Sequence, residues 1–403
     1  MKLGTDILDH WAEVRAHLPA DFDIEATARA RGAFTRVREV KDAQSLLRLA
    51  LGYGACGMSL RETCAWAAAG GIANVSDPAL IERLEKSADW LGDLVSALLG
   101  GQAKVLSSGR WAGYRLRAID ATTICEPGAD RTTWRLHVGY NLANERVDQI
   151  ELTDGRGAES LTRFAFQPGD IALGDRGYAR PRDLRPVLAA GADLIIRTGW
   201  NSLRLLTPDG TPFDLFDALA KQRKREGETP VLIDEGNQTA GDPLRLRLVI
   251  RRKTRGEAAD ARQRLIQDAK KRGKTPDRRS LKAAGYILLL TSLPADTFSA
   301  GDVLGLYRLR WQIELAFKRM KSLAGLDTLP AKKPNLARAW IYARLIAILI
   351  AERIAGQVPD SSPSAPRNAG RKPITLASHQ NGARKHPRRR SRTLPVERAL
   401  PGA

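Results

Sequence analysis

The chain has 403 residues, 43% hydrophobic and 27% charged, enough apolar matter for a sizeable core and for two or three globular domains. Its formal net charge of +20 is unusual and points to a polyanionic partner, most simply nucleic acid. The opening MKLGTDILDHWAEVRAHLP has no long apolar run, and the most apolar stretch, ARLIAILIAERIAG, is interrupted by Arg344, Glu352 and Arg353, so no membrane partner is expected. Cys56, Cys64 and Cys125 lack CxxC or Cys/His zinc spacing, which excludes a disulfide framework or structural zinc and leaves them as buried thiols.

Residues 1–105 read as an N-terminal helical region. Gly70-Gly71 ends one helix and Ser76-Asp77-Pro78 caps and opens the next, which carries Arg83 and Lys86; a third helix is expected from Asp89. This is the outline of a helix-turn-helix DNA-binding bundle, and equally of a plain helical bundle. After Gly109 the texture turns to short alternating runs, 114–120, 132–142 and 146–154, an antiparallel meander. GAESLTRFAF then reads as a helix, 170–175 as a buried strand, RPRDLRPVLAAG as a helix and 192–198 as a second buried strand. The expected fold is therefore α/β, a mixed sheet in the order βββαβαβ over 106–198, interrupted by a mostly β insertion over 199–285 that includes one very charged helical segment. It resumes at 286–355 with a buried strand and a helix capped at Ser299 to Asp302. Residues 356–403, rich in Pro, Ser and Arg, read as a basic disordered tail.

Three acids stand out by position. Asp120 closes the first run, Asp175 closes the fourth, and Glu314 lies within the last helix. In that strand order the ends of the first and fourth strands are neighbours, and a following helix can lay a carboxylate beside them. Such convergence needs cations, because like charges at close range cannot all stay ionised. Two Mg²⁺ ions answer it, with Asp120 bridging both and Asp175 and Glu314 holding one each; Mn²⁺ is expected to substitute. Asp170 and Asp193 precede their strands, Asp154 sits in an Asp-Gly turn and Asp183 in a helix's first turn, so these four read as structural.

The stretch YRLRWQIELAFKRMK, 307–321, carries an apolar stripe of Leu309, Ile313, Phe317 and Met320, which Leu306 extends. At about 100° per residue, Tyr307, Arg310, Glu314, Lys318 and Lys321 share an adjacent arc of roughly 80°. A solvated charged face would show the same spacing.

Tyr307, Arg310, Glu314 and Lys321, in the spacing Y-x2-R-x3-E-x6-K, resemble the YREK motif of the insertion-sequence-four family of bacterial DDE transposases. RAIDATT and ALGDRGYAR are similar to that family's two aspartate motifs, and the resemblance spans roughly residues 40 to 350. It implies a ribonuclease-H-like core, an N-terminal DNA-binding region, two Mg²⁺ ions, and cleavage and strand transfer at the inverted-repeat ends of a mobile element. Double-stranded DNA, both element ends and target, would be the partner, bound by a homodimer in a synaptic complex in the bacterial cytoplasm and nucleoid. Arg310 and Lys321 would take phosphate oxygens, Tyr307 a terminal phosphate or a base, Lys318 a weaker contact, and Arg176 part of the strand; for Tyr178 strand contact and simple packing both stay open. Trp200, at the start of the insertion, is a minor candidate for stacking on a flipped base, and Trp311 an edge-of-core residue. The tail departs from the family's C-terminal helical region, associated with subunit pairing. Two other functions therefore stay open: a relic that only binds DNA, and a metal-dependent nuclease of the same fold.

Overall fold

The computed structural model describes residues 10–100, 105, 111–234 and 243–355; expectations for the tail lie outside them. Five helices come first: α1 (Trp11–Ala16), α2 (Ile24–Ala30), α3 (Ala43–Gly54), α4 (Leu60–Ala69) and α5 (Asp77–Leu99). Local chemistry sets their limits. Asp23 and Asp42 accept backbone N–H bonds at the starts of α2 and α3, Ser59 and Glu62 form a reciprocal capping box on α4, and Gly71 leaves α4 at φ +63°. The two helices expected over 77–99 are one. Asp89 is mid-helix because no breaker precedes it and the stripe Leu80, Leu84, Ala88, Leu91, Val95 and Leu98 runs through without a change of phase.

The sheet has nine strands: β1 (Arg115–Ile124), β2 (Trp134–Asn141), β3 (Arg146–Asp154), β4 (Asp170–Gly174), β5 (Asp193–Arg197), β6 (Arg204–Leu206), β7 (Glu226–Asp234), β8 (Leu244–Arg252) and β9 (Tyr286–Thr291). Their order is β3-β2-β1-β4-β5-β9-β8-β7-β6. β1 pairs antiparallel with β2 and parallel with β4, which pairs parallel with β5. This mixed sheet is consistent with the expected ribonuclease-H-like core. The helix α6 (Pro181–Ala189) links β4 to β5 and presents Leu184 and Val187 to the sheet's second core.

The 199–285 segment does not stand apart from that sheet. β8 pairs with β9 from Arg247↔Thr291 to Arg252↔Tyr286, so β6, β7 and β8 prolong the core sheet. Three helices, α7 (Leu215–Lys221), α8 (Arg255–Lys271) and α9 (Arg278–Ala283), take up more of this segment than its strands do. The helix expected over GAESLTRFAF is also absent, replaced by one 3₁₀ turn at Leu161–Arg163. Tertiary bonds win there: the Gln149 side chain accepts from the Ala165 N–H at 3.0 Å and donates to its carbonyl at 2.8 Å, fixing the segment along β3.

After β9 come α10 (Ala300–Leu309), α11 (Trp311–Lys318), a π turn at Arg319–Leu323, and α12 (Pro334–Ala355). Ser299 and Asp302 form the expected cap of α10 as a reciprocal box. By length and composition α12 is apolar enough to cross a membrane, yet it packs against α3 and α5 with Trp340, Ile341, Leu345 and Ile346 in the main core. A Cβ on Gly54 would meet Ala343 Cβ at 2.6 Å, so only glycine permits this approach of α3 to α12. Arg344, buried on α12, donates to the Gly54 carbonyl at 2.7 Å and also bonds the Ala324 carbonyl, tying the N-terminal helices to the end of the π turn.

Candidate active site

Asp120 does not end its strand. β1 runs on to Ile124 because Ala121–Ile124 pair with His137–Trp134 of β2. β4 is shorter: its last pairing with β1 is Ala118↔Leu173, so Asp120 and Asp175, each two residues further on, come level just beyond the end of β4. Asp175 caps the turn Arg176–Tyr178 by accepting the Arg176 N–H at 2.8 Å.

The third acid arrives on a broken helix. The uniform helix expected over 307–321 is interrupted at Arg310, which separates α10 from α11, and again at the π turn. The apolar stripe survives: Leu306, Ile313, Phe317 and Met320 are buried. Arg310, only 9% exposed, reaches back to the sheet, with Nη1 3.2 Å from Asp120 Oδ2 and Nη2 2.8 Å from Glu314 Oε1. One guanidinium thus binds the strand acid to the helix acid. The Tyr307 hydroxyl is 3.5 Å from Asp175 Oδ1, and Arg197, at the end of β5, brings Nη1 to 3.7 Å from the same oxygen.

Burial pushes the Asp120 carboxyl up to about 6, against the Ala121 N–H and Arg310, which favour its charge; Glu159 and Asp175 push it further up. Tyr307 is pushed up to about 12 by burial and by Asp175. The corner therefore holds Asp120 with a raised carboxyl that takes up its proton near pH 6, with Arg310 shared between it and Glu314 and with Arg197 near Asp175.

An all-carboxylate donor set suits a hard divalent cation with oxygen preference. Among the described residues, no three His, Cys, Asp or Glu side chains gather closely enough to hold one ion. Asp120 and Glu314 share one guanidinium, and Mg²⁺ takes one or two carboxylates with the rest of its shell from water and phosphate. On that measure the residues fit.

Of the other expected residues, Lys318 is exposed and Lys321 half-exposed; among the described residues neither pairs with an acid. The π turn advances fewer degrees per residue than an α-helix, so the arc predicted for Lys321 does not carry through it. Arg176 is exposed beside Asp175, whereas Tyr178 packs, 1% exposed. Trp311 stands 51% exposed on the surface instead of at the edge of the core, and Cys125 is exposed, not buried. Trp200 donates Nε1 to Ser280 at 3.0 Å and meets Phe216 edge-on. Asp170 and Asp183 are buried, Asp170 bonded to Arg115 and Asp183 to the Ser160 hydroxyl; Asp193 accepts from Ser292, and Asp154 closes its turn on the Gly157 N–H, all in structural roles.

Two residues escaped the sequence reading, Arg197 and Glu159. Arg197 was legible in principle, since a residue ending the strand next to β4 must lie beside Asp175. Arg197 and Arg176 also line a cleft of about 510 Å³ with Lys253, Arg264, Trp200 and Tyr286. There burial, with the charges of Arg197 and Arg176, pushes Lys253 down to about 8.

Comparison with known proteins gives the family. The profile of the family described as "Transposase DDE domain" matches residues 111–350. The chain is 44% identical over 365 residues to the putative transposase InsL for insertion sequence element IS186A of Escherichia coli (strain K12), covering 90% of this chain and 97% of that protein. It is 43% identical over 366 residues to the transposase for insertion sequence element IS421 of Escherichia coli, with the same coverage. The transposase for IS231F of Bacillus thuringiensis subsp. israelensis is 26% identical over 269 residues, 59% of this chain and 55% of that one.

Proposed function

Since the chain belongs to the DDE transposases of bacterial insertion sequences, we propose that it binds the terminal inverted repeats of its element, cuts there and joins the cut ends to target DNA. The observation that carries this reading is the Arg310 bridge, which brings Glu314 to Asp120 across a sequence gap that no local structure would close.

Asp120, Asp175 and Glu314 would hold two Mg²⁺ ions, which supply an activated attacking oxygen and neutralise charge at the leaving oxygen of an in-line displacement. The rest is positioning by the chain itself. Arg310 keeps Asp120 and Glu314 aligned in the free protein and offers its guanidinium to a phosphate oxygen of the bound strand. Tyr307, propped beside Asp175, faces the terminal phosphate or base. Arg176 and Lys321 flank the strand, with Lys318 a weaker contact, and the cationic cleft behind Asp175 gives the phosphodiester backbone a path away from the acids.

Binding to the element's end falls to the N-terminal region. Arg36, Arg38, Arg83 and Lys86 line a cleft of about 390 Å³ there, with Glu82 as the acid among them. The active unit is a homodimer assembled on two DNA ends in the cytoplasm and nucleoid.

The test is incubation of a duplex carrying the terminal repeat with Mg²⁺, scoring nicked, hairpin and joined products for wild type and Glu314→Ala. The reading predicts specific nicking and joined product, both lost in the variant. Nicking without joining would indicate a nuclease, and binding without cleavage a relic that only holds DNA.

A further inference from the structure

The catalytic corner contains a carboxylate outside the three that the motifs supply. Glu159 lies on the segment leading from β3 towards β4, and its Oε2 rests against Gly177 so closely that any side chain there would collide with it. Gly177 belongs to the turn capped by Asp175, so Glu159 abuts the backbone that follows the second aspartate. Its charge also acts on Asp120, ahead of Asp175 among the acids that do. Among the described residues its side chain has neither a hydrogen bond nor an ion pair, although it is half-buried.

A second observation concerns the residue next to Gly177. Tyr178 is 1% exposed, and its hydroxyl has no hydrogen-bond partner. Burial raises its phenol far above the ordinary range, with the charges of Asp120 and Glu159 adding to the effect. A buried hydroxyl with no protein partner has room in its hydrogen bonding for an ordered water.

We propose that Glu159 is a fourth carboxylate of the catalytic centre, binding a divalent cation together with Asp120 while the Tyr178 hydroxyl accepts a hydrogen bond from a water of that ion. The inference rests on reading Asp120 as an ion ligand. It explains three things together: the lack of a cationic partner for Glu159, the unsatisfied hydroxyl, and the glycine at 177, where a side chain would displace the carboxylate. A hard oxygen-preferring ion is the class of ligand required.

The experiment is Mn²⁺ binding to the full-length protein without DNA, followed by the electron paramagnetic resonance of free Mn²⁺, for wild type, Glu159→Gln, Tyr178→Phe and Asp120→Asn. Glu159→Gln should weaken the affinity by about tenfold or more, and Tyr178→Phe by a smaller factor. In ion-free buffer Glu159→Gln should melt no lower than wild type, because a like charge beside Asp120 has been removed. Unchanged affinity in Glu159→Gln alongside loss in Asp120→Asn overturns the proposal and leaves the site reading intact. Unchanged affinity in Asp120→Asn overturns both. Should Glu159→Gln fail to fold, Glu159→Asp decides by the same criterion: weakened binding supports the fourth ligand, and wild-type binding removes it.

Discussion

At its amino-terminal end β1 sets Arg115 and Arg117 against Asp148 and Asp170; a few residues further along it sets Asp120 among Asp175, Glu314 and Glu159. Both clusters mix acids with arginines around β1, but their balances differ. In the first, Asp170 is fully buried and accepts from Arg115 at 2.6 Å, Arg117 at 3.3 Å and the Gln167 N–H at 2.9 Å, while Arg117 also holds Asp148 at 2.7 Å. Two acids there face two guanidiniums at short range. In the second, Arg310 is shared by two acids, Arg197 stands off at 3.7 Å, and the Glu314 side chain is 59% exposed. The first cluster pairs its acids with guanidiniums at short range, save Asp148 Oδ1, which has no protein partner, whereas the second holds its acids more loosely, in an arrangement that the proposed divalent ion would tighten.

This contrast is broken most severely by removing an acid proposed to hold the ion. Asp175→Asn should cut Mg²⁺-dependent cleavage by about 10³-fold or more, since the charge stabilisation lost is several kcal/mol, while circular dichroism stays that of wild type. Equal cleavage by the variant would mean that the second cluster is no more functional than the first. The mirror experiment is Asp170→Asn. Removing one partner of a buried pair leaves Arg115 and Arg117 short of an acceptor, and urea unfolding should show a loss of about 3–5 kcal/mol. A near-neutral result would remove the distinction from the other side.

A third variant sharpens it. Asp120 in the folded chain sits near 6 against its ordinary 3.8, so the native state holds that proton more tightly than the unfolded chain does. The stability associated with the protonated form is complete below about pH 4 and is lost as pH rises through 6. Asp120→Asn should therefore be more stable than wild type at pH 7 by roughly 2–3 kcal/mol, with the difference shrinking towards pH 4, read by denaturant unfolding across that range. Ion affinity should weaken below about pH 6, where the proton competes. The smallest effect belongs to the N-terminal cleft: Arg83→Ala should weaken binding of all DNA sequences similarly and lower the slope of log affinity on log salt by about 0.9.

Much of this was legible in the sequence, and what was not has identifiable causes. Caps such as Ser59-Glu62 and Ser299-Asp302, and the Gly70-Gly71 stop, are short-range devices whose partners sit three or four residues away. Asp120, Asp175 and Glu314 could be singled out as candidates because strand ends and motif spacing are linear properties. Sheet membership is not linear: nothing local in β8 says that its partner is β9. The break at Arg310 was hidden because the 100° projection assumes one uniform helix, whereas the tertiary reach of Arg310 to Asp120 draws on a different geometry. Glu159 was missed because GAESLTRFAF has helical composition, and its extended course depends on the distant Gln149.

The most direct test of the central claim, that the Asp120 corner takes a divalent ion and the buried network does not, is thermal unfolding with and without Mg²⁺. Wild type and Asp170→Asn should both gain melting temperature as Mg²⁺ is raised, because the ion binds the native state and both retain the corner acids. Asp120→Asn should begin higher at pH 7 and fail to respond. A wild-type protein indifferent to Mg²⁺, or an Asp120→Asn variant that responds as fully as wild type, would contradict the account.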